Sequence, residues 1–136
     1  MLKRIKNIKA DGYVEVCISA LVLITLAVIL LNIFELIMLR ISLGQTADDL
    51  ITTACYSGGF ADEFWACDAK HCDEYLYYDI DYGADEFFDA TDETVQLGDG
   101  MWVEVSAGMD VKGAGAFKIP ITVSVKRFGI SERYSK

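Results

Sequence analysis

Three cysteines and the single histidine make the densest group of reactive side chains in this 136-residue chain: Cys55, Cys67, His71 and Cys72. Cys67 and Cys72 are close enough to pair, and Cys55 could replace either. The three are therefore the disulfide candidates, with a connectivity that spacing does not fix. Adding His71 gives the ligand types of a zinc site, but Cys-x3-His-Cys is not a standard zinc knuckle. Asp79-x-Asp81-x-Gly83-x-Asp85 imitates the start of a calcium loop. Its glycine stands fifth where the turn needs it sixth, and Ala90 holds the twelfth position, where a bidentate Glu is expected. Asp79, Asp81 and Asp85 are thus a weak calcium candidate, no metal is favoured, and no cofactor is expected. No phosphate-binding glycine loop and no nucleophile with a supporting base stands out, so the chain does not read as an enzyme.

The remaining reactive group is Glu15, at the edge of an apolar run from Val16 to Phe34 that holds no charge and one strongly polar side chain, Asn32. As a helix, about 19 residues rise ~28 Å, close to the ~30 Å hydrocarbon core of a bilayer. Helical backbone satisfies its own hydrogen bonds in lipid. Lys3, Arg4, Lys6 and Lys9 precede the run, and the chain after it turns acidic. The positive-inside tendency then keeps the N-terminus in the cytoplasm and sends the rest across. A cleaved secretory signal with a site near Ser42-Leu43-Gly44 is the rival, but the run is too long for an ordinary signal. Cys17, inside the run, reads as a small apolar residue.

The elements that position these groups follow from periodicity. Ile41, Leu43, Ala47, Leu50, Ile51 and Ala54 continue the helix with one apolar face, and Gly58-Gly59 is a stop signal. Residues 1–10 form a cytoplasmic basic leader. Residues 11–57 form a long helix, transmembrane from about 14 to 39. Residues 58–136 form an extracytoplasmic acidic head. Within the head the pattern predicts a short helix over 60–72 and strands over 75–82, 94–97, 101–107 and 117–125. It also predicts an acidic loop over 83–93 and a glycine-rich connection over 108–115. Pro120 marks an edge strand or a strand that begins near that residue. The expected fold is α+β, a long N-terminal helix packed on a small antiparallel sheet. The formal charge of −9, with Lys70 the lone cation between Gly44 and Asp110, disfavours nucleic acid as a partner.

The N-terminus resembles those of type IV pilin-like proteins: basic leader, small residue, nearby carboxylate, long apolar helix. Their precursors are cut after Gly or Ala and carry Glu fifth in the mature chain. A cut between Ala10 and Asp11 places Glu15 fifth. The alternative, between Gly12 and Tyr13, places it third. Val95-Gln96-Leu97-Gly98-Asp99 and the tail Gly129-Ile130-Ser131-Glu132-Arg133-Tyr134-Ser135-Lys136 resemble an uncharacterised family of short Gram-positive pilin-like proteins. These share an Asp-Gly-Tyr start and a Gly-x-Ser-Glu-x-Tyr-x-Lys tail, and they are similar to the TadE-type pseudopilins. The resemblance implies a pilin-like architecture, a prepilin-type peptidase as partner, and self-assembly with other pilin-like subunits in the cell membrane or a surface filament. It also implies that Glu15 pairs with the terminal ammonium of a neighbouring subunit. The alternative is an unprocessed single-pass membrane protein whose head binds a partner.

Overall fold

A computed structural model of the chain describes residues 2–72, 77–113 and 117–134, with side chains from residue 12 onward. Helix α1 runs Leu2–Ser57, α2 runs Asp62–Cys72, and strands β1 (Asp79–Ala84), β2 (Gly100–Gly113) and β3 (Phe117–Ile130) follow. The fold is α+β: a long N-terminal helix and a three-stranded antiparallel sheet in the order β1-β2-β3.

The helical backbone begins at Leu2, nine residues ahead of the start expected at Asp11, so leader and helix are continuous. Neither proline nor paired glycine interrupts this stretch, and good helix formers fill it. At 56 residues, α1 is ~84 Å long. It ends as predicted. Gly58, at φ 78°, takes the left-handed turn that closes the helix, and the amides of Gly58 and Gly59 both donate to the Ala54 carbonyl. Gly59 is needed for a different reason. A Cβ there would lie 2.5 Å from the Glu93 carbonyl oxygen.

The core gathers under the upper half of α1. Leu43, Ala47, Leu50, Ile51 and Ala54 form one buried face. That face packs on Met101, Val103, Val105 and Ala107, which alternate along β2 with half-buried residues, the period-two signature of a strand with one covered side. Phe60 and Phe64 close the top in edge-to-face contact at 5.2 Å, and Phe60 stacks at 4.6 Å on Tyr82 of β1. Full burial of each phenylalanine is worth ~1.5–3 kcal/mol. On β3, Gly129 lets the helix come close: a Cβ there would meet the Cys55 sulfur and Ile51. On the other face of the sheet, the Lys126 ammonium sits 3.5 Å above the Trp102 ring.

Three expectations need correction. Residues 94–97 are not a strand. Thr94 makes single bridges to Gly59 and Asp89, the Val95 amide is spent on the Gly58 carbonyl, and a turn from Gln96 to Asp99 follows at once. Of the strand expected over 75–82, residues 75 and 76 lie outside the described residues, Tyr77 and Tyr78 are not in a strand, and β1 runs Asp79–Ala84, ending later than predicted. Most importantly, Gly108–Gly113 is not a loose connection. It is the lower half of β2, paired residue by residue with Phe117–Thr122 of β3. The cross-strand ladder satisfies the backbone there and outweighs the weak strand preference of its glycines. Pro120 does lie on an edge strand, opposite Asp110.

Candidate functional site

β1 covers only Met101–Ser106 of β2. Below Ser106 the β2–β3 hairpin leaves the head and descends beside α1, and among the described residues one edge of β2 there has no strand partner. Asn32 fills that edge. Its amide nitrogen donates to the Lys112 carbonyl at 2.8 Å, and its amide oxygen accepts from the Lys112 amide at 3.1 Å. A side-chain amide carries the same donor and acceptor as a peptide unit, so one side chain stands in for the missing strand. The same nitrogen also reaches the Val28 carbonyl at 2.8 Å. Asn32 is the polar residue in the apolar run, and its partner lies on the segment that the sequence pattern reads as a loop.

Below Thr25, the lowest α1 residue beside the hairpin, no described residue covers α1. None of its most apolar stretch is buried; with a mean hydropathy of 2.8, it is long and apolar enough to cross a membrane. Val16, Leu21, Leu23, Ile24 and Leu31 each leave more than 60% of their surface open. Glu15 stands among Val14, Ile18 and Ser19, with no hydrogen bond or ion pair to any described residue. Gly12 and Tyr13 are helical and exposed. The favoured processing pair, Ala10 and Asp11, lies outside the residues whose side chains are described.

The two stretches that carry the pilin-like resemblance meet at the top of α1. Gly98 donates to the Ser131 carbonyl, and Ser131 donates to the Asp99 carbonyl, both at 3.0 Å. Glu132 donates its amide to the Cys55 carbonyl at 3.0 Å, and Arg133 donates to the Ser57 carbonyl at 3.1 Å. The last turn of a helix leaves its carbonyls without partners, and the tail supplies two. Ser131 is buried and its hydroxyl donates to the Val95 carbonyl. These motifs form a clasp on the helix end.

In the structure no bond joins Cys17, Cys55, Cys67 or Cys72 to another cysteine. Cys55 lies under β3, where burial raises its pKa and the Ile130 amide works against that rise. Cys67 packs at the edge of the core. Cys72 is exposed, and its thiol lies 3.7 Å from the Asp68 carboxylate. Five residues apart on α2, Cys67 and Cys72 point about 140° apart around the helix. His71 turns to Asp49 of α1, 3.2 Å away. Among the described residues no three His, Cys, Asp or Glu side chains form a metal-binding group. Asp79 and Asp81 lie on an extended strand paired to β2, a shape that does not wrap a calcium ion, and Asp85 folds over Gly100.

Two tyrosines complete the electrostatics. Tyr78 donates to Asp68 at 2.9 Å, and burial together with that carboxylate pushes its pKa well above the usual phenol range. Tyr82 bonds the Glu93 carboxylate, and burial and that contact raise its pKa as well.

No model of a known protein family, no characterised protein and no solved structure matches the chain.

Proposed function

We propose that this chain is a pilin-like or pseudopilin-like structural subunit of a type IV or Tad-type pilus, or of a related secretion or conjugation apparatus. The observation that carries the reading is the lower half of α1: apolar, uncovered, bearing Glu15, and continuous with a helix on which a folded head is clasped. The subunit is stored in the cell membrane with its basic tip in the cytoplasm and its head outside. A prepilin-type peptidase cuts between Ala10 and Asp11, and subunits then leave the lipid by packing their lower helices together with heads outward. Lipid offers no hydrophobic drive for that step, so tight helix packing and polar pairing must supply it. Glu15 provides the pairing by meeting the new terminal ammonium of a neighbour. A carboxylate held in a low-dielectric core is costly unless paired, which makes the contact selective for register.

The test compares crosslinked ladders from native membranes of wild type, Glu15→Gln and Glu15→Ala. Both variants should insert normally and lose the higher rungs. Equal ladders in all three would leave Glu15 as an interfacial carboxylate and favour an unprocessed single-pass protein whose head binds a partner.

A further inference from the structure

The descending hairpin places folded backbone at a depth where the apolar helix expects lipid. From Val14, where the span begins, a rise of about 30 Å, the thickness of the hydrocarbon core, ends at Phe34. With Val14 at one boundary, the Asn32–Lys112 junction falls within one helical turn of the other. Beside the junction, α1 and the ends of β2 and β3 enclose a cleft of about 390 Å³, lined by Val28, Ile29, Ile33, Leu36, Val111 and Phe117 among others. Its polar groups are already satisfied. The Asn32 amide and the Lys112 backbone bond each other, and the Thr25 hydroxyl donates to the Leu21 carbonyl. A cleft so lined has no use for water.

The apolar face of the hairpin end stays largely open. Phe117, which also lines the cleft, is 56% exposed and Ile119, on the same face of β3, is 49% exposed. Between Met109 and Ile119 the chain holds two lysines, Lys112 and Lys118, against one carboxylate, Asp110; this end is net positive in a chain whose formal charge is −9. Lys118 reaches Asp110 at 2.8 Å. Pro120 removes one backbone donor from the edge of β3, where an unpaired donor near lipid would be costly. Aromatic and aliphatic side chains flanked by lysines are the composition of an element seated at a bilayer interface.

We propose that the lower end of the β2–β3 hairpin is a lipid-contacting element, and that its cleft against α1 takes an acyl chain of a phospholipid from the head-side leaflet, with Lys112 and Lys118 beside the headgroup phosphate. This rests on the membrane anchorage proposed above and not on processing or assembly.

The experiment adds one tryptophan at a time to the full chain in phosphatidylcholine vesicles, keeping the native Trp65 and Trp102 as a constant background. Phe117→Trp probes the hairpin end, Leu23→Trp the middle of the apolar run, and Phe88→Trp an exposed loop at the far end of the head. Lipids brominated near the headgroup or deep in the chain serve as quenchers. A residue seated at the interface lies ~5–10 Å into the headgroup–acyl boundary. The added emission of Phe117→Trp should therefore be mostly lost to shallow bromines and less affected by deep ones. Leu23→Trp should show the reverse, and Phe88→Trp no quenching. If Leu23→Trp is quenched and Phe117→Trp is not, the hairpin stands clear of lipid and this inference falls while anchorage stands. If neither is quenched, anchorage and inference fall together.

Discussion

Asn32 and Lys112 stand eighty positions apart and share two hydrogen bonds, the side-chain amide of one matched to the backbone amide and carbonyl of the other. The pair ties the hairpin to the apolar helix at one level and sets where the head ends and the bare helix begins.

Replacing Asn32 with Leu keeps the side chain's size and removes both bonds. A partly exposed hydrogen-bond pair is worth ~1 kcal/mol or slightly more, so exchange of the Lys112 amide should rise about five- to tenfold. Amides of Val103 and Val105, deep in the sheet, should not change. Amide exchange by mass spectrometry reads both. An unchanged Lys112 would mean that the hairpin is held by its ladder alone.

Gly129 controls how closely α1 approaches β3. Gly129→Val should cost ~1–3 kcal/mol in denaturant unfolding, because its side chain would displace the Cys55 sulfur and Ile51. Cys55→Ala makes room for part of that side chain, so the double variant should recover some of the loss. Strict additivity of the two changes would refute the contact.

The head should weaken in alkali. Cys55, Tyr78 and Tyr82 all have raised pKa values, chiefly through burial. A group with a raised folded pKa holds its proton more tightly when folded. Its contribution is complete below the unfolded pKa and falls as pH rises through the folded one. Loss should begin near pH ~8.5 from the thiol and deepen above ~10 from the phenols. Tyr78→Phe should flatten the upper part of a pH–stability curve. A curve of the same slope in wild type and variant would remove Tyr78 from the account.

Thiol labelling of the folded protein should follow environment. Exposed Cys72 should react first and half-buried Cys55 last, because the thiolate is the reactive form and burial disfavours it. A Cys67–Cys72 bridge in a non-reducing mass map would contradict the separation of these residues around α2.

Much of the scaffold was legible in the sequence because its signals are local. The apolar run, the helical spacing of Leu43 to Ala54, the Gly58-Gly59 stop and the alternation over 101–107 each declare an element from its own residues. The failures were residues whose state depends on distant partners. Gly108 to Gly113 read as a connection because glycine has weak strand preference, yet the β3 ladder holds it extended. Asn32 gave no hint of Lys112, since spacing along a helix says nothing about a strand eighty residues on. The tail marked a resemblance, but its bonds to the Cys55 and Ser57 carbonyls needed the fold. Cys67 and Cys72 are near in sequence, yet α2 faces them about 140° apart, which spacing read without the helix does not show.

The central claim is that this chain is a processed, assembling subunit, and its mature N-terminus tests that most directly. Intact-mass analysis of the protein from native membranes should show a chain beginning at Asp11, with residues 1–10 removed and Glu15 fifth. A chain beginning at Met1, or one beginning at Gln45 after signal-peptidase cleavage, would contradict it.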